Sequence, residues 1–162
     1  MIEIDEFTTL EPSTQEDIDY VETNFREGDR LEHESLDGGR TLIKIFEDCW
    51  TVKHKGEIIG YCGVMPPYGE TFYSNKRWLC YMSCENANKY KIAYVKLSRK
   101  VMKAIIAETP EYVDIFMSLP NEEYVGSVLW HERVLKMRRI DKVSFSNANF
   151  VLFGITRKEV LG

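Results

Sequence analysis

The chain has 162 residues, 44% of them hydrophobic, 29% charged and 12% aromatic, with a formal net charge of -5. That length and composition read as one globular domain spanning residues 1–162 with a sizeable core, and they exclude a disordered or fibrous chain. No run reaches the ~20 apolar residues of a membrane helix, the acidic N-terminus MIEIDEFTTLEPSTQ does not read as a signal peptide, and four cysteines without a leader read as reduced thiols of a soluble cytoplasmic protein.

In chain order, Ile2, Ile4 and Phe7 alternate as a first strand. Ser13 and Glu16 are spaced as a capping box, and Ile18, Val21 and Phe25 follow at helical spacing. The polar stretch 26–40, with Gly38-Gly39, reads as a loop holding at most a short helix. Leu42–Phe46 and Cys49–Lys53 are strand-like, and Lys55-Gly56 is a hairpin turn into Ile58–Met65. That last strand is nearly all apolar, which predicts burial on both faces. Gly60 and Gly63 within it mark places of close approach.

Pro66-Pro67 ends this strand, residues 68–76 form an exposed connection, and Arg77–Cys84 is a further strand. Residues 86–108 form the strongest helix pattern, with Tyr94, Leu97, Val101, Ala104 and Ile105 on one stripe, and Pro110 stops it. Val113–Leu119 is a short strand and Pro120-Asn121 a turn. Ser127–Met137 carries helix signals, and Val143–Phe145 with Phe150–Ile155 reads as a closing hairpin. This order predicts an α/β fold: a mixed, largely antiparallel sheet with helices on both faces.

Charge is segregated along the chain. Residues 1–37 hold thirteen Asp and Glu against Arg26 and Arg30, whereas residues 86–107 hold six Lys and Arg and no acid. A basic helix start on an acidic protein suits a phosphate-bearing ligand, and a solvated helix face accounts for it equally. Nucleic acid is a poor fit, because no interleaved aromatics accompany the lysines and the chain as a whole is acidic. Cys62, Cys80, Cys84 and His54 lack the short knuckle spacing of a structural zinc site, so no metal is expected. His131 reads as a structural histidine, with nothing in the sequence tying it to Cys84.

The hairpin GEIIGYCGV, feeding a strand and then a long helix, resembles the GNAT superfamily of N-acetyltransferases. KLSRKVMKAII (Lys96–Ile106) and HERVLKMRR (His131–Arg139) resemble the helices of GNAT-like gene-13-type internal virion or assembly proteins of short-tailed phages. The resemblance implies acetyl-CoA as cofactor, lying in a notch where a central strand parts from its neighbour. It implies pantetheine against the backbone of Met82, Ser83 and Cys84, and diphosphate at the head of the following helix near Lys89, Lys91 and Ile92. There the family carries a cation and two small residues; this chain has Lys89, Ile92 and Tyr94. Asn121, or Ser127 in a second register, falls at the family's asparagine. Tyr124 falls at its proton-donating tyrosine, and Glu85 is the candidate base for an attacking amine. Arg139 stands where the family ends its last helix with glycine. Two functions follow: an acetyl-CoA-dependent N-acyltransferase acting on an amine of a protein or small molecule, or a non-catalytic protein for virion assembly or for binding a host protein. The partners left open are an acyl acceptor, a host protein and a second copy in a homodimer, in the host cytoplasm or the virion.

Overall fold

The computed structural model describes residues 1–35, 48–67, 73–145 and 148–162. Eight strands form one sheet in the order β1-β2-β3-β4-β5-β6-β8-β7. The first two, β1 (Ile2–Asp5) and β2 (Thr8–Pro12), make a tight hairpin where the sequence predicts one strand. Its turn carries no glycine or proline to announce it; the Asp5 side chain caps it by accepting from the Phe7 amide at 2.9 Å. Two helices follow, α1 (Gln15–Thr23) and α2 (Glu27–Ser35). The capping box is Thr14 with Asp17, one residue beyond the Ser13–Glu16 pair, because the Ser13 hydroxyl is engaged with Thr51 at 2.8 Å.

The strands β3 (Asp48–His54) and β4 (Glu57–Met65) form the predicted hairpin, and its turn residues Lys55 (φ 51°) and Gly56 (φ 79°) are both left-handed, as a two-residue turn of this hand requires. The predicted strand Leu42–Phe46 and residues 68–72 of the predicted connection 68–76 lie outside the described residues, and Lys76, placed in that connection, already belongs to the next strand. β5 (Lys76–Ser83) pairs antiparallel with β4. A 3-10 turn over Glu85–Tyr90 then leads into α3 (Lys91–Glu108), so the regular helix begins later than the sequence pattern suggests.

β6 (Ile115–Ser118) is followed by α4 (Val125–Leu129) and a π-helical segment, Trp130–Val134. The left-handed residue that ends this helix is Lys136 (φ 59°), whereas Arg139, predicted at that position, lies inside β7 (Arg138–Phe145). β7 starts earlier than predicted because Arg138–Lys142 is an exposed sheet edge without apolar alternation. β8 (Ala148–Thr156) and α5 (Arg157–Leu161) complete the chain.

Two apolar layers flank the sheet. On one face α3 and α4 bury Val101, Met102, Ile105 and Val128 against Leu10, Cys62, Val64, Leu79, Phe116 and Phe153. On the other, α1 sets Val21 against Tyr61, Met82 and Cys84. β4 lies between both layers and is buried from Ile59 to Met65, as its apolar run predicts. Within it, a Cβ on Gly60 would stand 2.4 Å from the carbonyl oxygen of Met82 on β5. Backbone cannot yield as a side chain can, so Gly60→Ala is expected to lower unfolding free energy by about 1–3 kcal/mol. A urea titration checks this, and an unchanged midpoint would remove the close-approach explanation.

Candidate functional site

The site is organised by one break in the sheet. β5 pairs with β6 in parallel only at Lys76–Ile115, Arg77–Phe116 and Trp78–Met117. Beyond Trp78, β5 runs on to Ser83 while β6 ends at Ser118 and the two strands part. The vacated edge of β5 is then partly filled from the N-terminal half. Asn24, Phe25 and Arg26, between α1 and α2, run antiparallel to Ser83–Glu85: Arg26 N donates to Ser83 O at 3.0 Å, Glu85 N donates to Asn24 O at 2.8 Å, and Phe25 bridges Cys84. The Ser83 amide donates to Asp29 Oδ1 at 3.2 Å. Since N–H and C=O groups alternate sides along a strand, those of Tyr81 also face the gap.

Around this edge four polar side chains converge. Asp29 is buried and pairs with Arg26 at 3.1 Å. Burial pushes the Asp29 carboxyl above its usual range, against the pull of the Arg26 guanidinium and the Ser83 amide. Arg26 also donates to Tyr124 Oη at 3.3 Å and lies 5.2 Å from the centre of the Tyr94 ring. The Tyr94 hydroxyl bonds the Ser83 hydroxyl. Burial is the main cause that raises the Tyr94 pKa, so the phenol stays protonated. The Tyr124 ring packs so closely on Gly28 that a Cβ there would lie 2.0 Å from it.

Between α3 and the sheet lies a narrow cleft, with about 360 Å³ of empty space that is partly open solvent. Tyr81, Ser83, Tyr94, Leu97, Val101 and Trp130 are among its walls. The Tyr81 hydroxyl is buried and meets no hydrogen-bond partner among the described residues. Trp130 stands edge-on to Tyr81 with ring centres 5.2 Å apart, and its Nε1 donates to Ser98 Oγ at 3.1 Å, tying α4 to α3.

Ser118, the last residue of β6, meets His131. His131 Nδ1 lies 2.7 Å from the Ser127 carbonyl, which can only accept, so Nδ1 carries the proton and Nε2 accepts from Ser118 Oγ at 2.7 Å. Stacked on Phe153 at 5.2 Å, the ring is buried, and burial lowers its pKa to about 4. The pair pins α4 to the end of β6.

The residues named from the sequence fall into four groups. Ser83 and Tyr124 belong to the cluster around Arg26. Met82 is buried toward α1, its neighbour across the hairpin being Tyr61 on β4, and Cys84 donates its thiol hydrogen to Ile58 O at 3.0 Å. Glu85 is exposed at the head of the 3-10 turn. Lys89, Lys91 and Ile92 are exposed at the start of α3, with Ile92 76% accessible. Lys89 is engaged with Glu57 at 2.9 Å, and the Tyr90 hydroxyl bonds the same carboxylate, which together hold the Glu57 carboxyl below its usual range. Asn121 stands apart: buried, bridged to Phe150 of β8, it accepts from the Glu123 amide at 2.9 Å.

Sequence reasoning passed over Arg26, Asp29, Tyr81 and Ser118. Tyr81 and Ser118 mark where two predicted strands end unequally, a signal that was available. The Asp29 and Arg26 contacts span 54 and 98 positions and had no local signature. No group of three His, Cys, Asp or Glu among the described residues could hold a metal ion. Burial pushes the thiols of Cys49, Cys62 and Cys84 up, to about 11 for Cys49, so these three stay neutral.

The sequence matches no protein-family model and no curated protein. Its fold, however, is shared with solved acetyltransferases. Aminoglycoside acetyltransferase AAC(6')-Ib, solved with coenzyme A, superposes with a TM-score of 0.68 at 16% identity, covering 94% of this chain and 96% of that one. Spermidine N-acetyltransferase from Vibrio cholerae, solved with CoA and spermine, gives 0.69 at 8% identity over 98% and 100%. Ribosomal-protein-alanine N-acetyltransferase from Brucella melitensis gives 0.62 at 11% over 91% and 99%. The fold is that of the GNAT acetyltransferases.

His131 supplies a pH test. Its folded pKa of about 4 lies below the unfolded 6.5, so the unfolded chain binds more protons between those values. The stability from the neutral imidazole is complete above 6.5 and is lost as pH falls toward 4. The loss reaches about 3 kcal/mol at most. His131→Gln should flatten that part of the pH profile measured by urea unfolding; a profile as steep as wild type would contradict the assignment.

Proposed function

We propose that the chain is an acyl-CoA-dependent N-acyltransferase acting on an amine of a small molecule or protein. The observation that supports it most is the parting of β5 and β6 beyond Trp78, which leaves the Tyr81 backbone facing a gap. A pantetheine arm is an extended chain with two amides, and it suits such an edge as an added strand would. Apolar walls from Leu97, Val101 and Trp130 suit its methylenes. Lys91 and the first amides of α3 are the groups for a diphosphate. The residues fit the arm better than the diphosphate, since Lys89 is engaged with Glu57 and the exposed Ile92 side chain stands where bare backbone would serve best.

Bound acyl-CoA would supply an activated thioester carbonyl. The chain's own part is to orient and to move protons. As the amine nitrogen replaces the thioester sulfur, Tyr124 Oη, held by Arg26, is the proposed proton donor to the departing thiolate, and Glu85, at the head of the 3-10 turn, the proposed acceptor for the proton of the attacking amine.

A second reading, a non-catalytic protein of a virion or a binder of a host protein, is favoured by the Glu57 carboxylate at the start of α3, where it neutralises Lys89 and opposes a diphosphate. Calorimetric titration with acetyl-CoA, together with thiol release in the presence of spermine or a lysine peptide, separates the two. The enzyme reading expects saturable binding, amine-dependent thiol release, and a kcat about 10²-fold lower in Tyr124→Phe at similar KM. Absence of binding at millimolar acetyl-CoA would leave the non-catalytic reading standing.

A further inference from the structure

The Ser83 end of the vacated β5 edge is already occupied, and by the chain itself. At Ser83 every polar group facing the gap is bonded from within: the carbonyl by the Arg26 amide, the amide by the Asp29 carboxylate, the hydroxyl by Tyr94. These partners come from the α1–α2 connection, α2 and α3, and Arg26 joins them by pairing with Asp29 and lying over the Tyr94 ring. Arg26 further reaches Tyr124, so the same closure spans the gap to the segment after β6. Tyr94 is also where the resemblance calls for a small residue, and its ring stands on the wall of the cleft, 6.2 Å from that of Trp130.

We infer that Asp29, Arg26 and Tyr94 form an internal latch that competes with acyl-CoA for the Ser83 end of the cleft and so sets the cofactor affinity of this chain. The inference rests on the acyl-CoA reading of the cleft. A ligand that pairs with β5 as far as Ser83 must displace the Asp29 carboxylate, and a ligand passing Tyr94 must break its bond to the Ser83 hydroxyl. Its apparent affinity falls by the fraction of molecules in which the latch is open. The latch also accounts for the buried Asp29 carboxylate: without it the Ser83 amide would face the gap unpaired.

Two variants probe it at different strengths. Asp29→Ala removes the acceptor of the Ser83 amide, and Tyr94→Phe removes only the phenolic hydroxyl while keeping the ring. Asp29→Asn is the conservative control, because its amide oxygen can still accept from Ser83. Two readouts are taken on each folded variant: acetyl-CoA affinity by calorimetry, and hydrogen exchange at the Ser83 amide without ligand. The latch predicts at least about tenfold tighter binding for Asp29→Ala, a smaller gain for Tyr94→Phe, and near wild-type values for Asp29→Asn. It also predicts faster Ser83 exchange in Asp29→Ala than in Asp29→Asn. Unchanged exchange in Asp29→Ala overturns the latch whatever the cofactor does, and so does faster exchange with wild-type affinity. Faster exchange in a set of variants that all fail to bind acetyl-CoA overturns instead the acyl-CoA reading on which the inference rests.

Discussion

Ser83 sits at the end of a strand whose neighbour has turned away, and its backbone must be hydrogen-bonded elsewhere if it is to stay out of water. That requirement organises the molecule. The parallel β5–β6 pair interrupts an otherwise antiparallel sheet, and the N-terminal half is folded back to meet the place where those two strands part. Asn24–Arg26 lies antiparallel to Ser83–Glu85 through an isolated bridge at Phe25, and Asp29 turns in from α2. The α1–α2 connection is therefore a structural partner of β5 as well as a link between two helices.

From this follow the positions of the remaining groups. Arg26 is drawn in by the buried Asp29 and carries two tyrosines with it, Tyr94 from α3 and Tyr124 from the segment after β6. The Ser118–His131 pair then fixes the far side of the gap by holding α4 to β6. Elements from both halves of the chain thus meet at one break in the sheet. Structures that share the fold carry CoA together with an aminoglycoside or spermine, and their low identity to this chain leaves the chemistry to be argued from the site.

Much of the fold was legible because local chemistry and global packing agree there. Lys55-Gly56 supplies the two left-handed residues of a hairpin, and Leu97, Val101 and Ile105 form a stripe that the sheet buries. Reading failed where local signals were weak. The β1–β2 turn contains neither glycine nor proline, and β7 is an edge strand of charged residues around Ile140. Tyr124 and Ser83 are legible through the family resemblance and Glu85 through its place after a strand. Arg26 and Asp29 were not reached, because a polar stretch after a helix reads as a loop until the partner in β5 is known. Tyr94 was seen as a departure from a small residue, and only the structure gives that side chain a partner.

Amide hydrogen exchange in the wild-type chain, read residue by residue along β5, tests most directly that the vacated edge is closed from within. The account predicts that the Ser83 amide, bonded to Asp29, is as protected as that of Met82, its neighbour within the strand. A Ser83 amide exchanging at the rate of an exposed loop would contradict it.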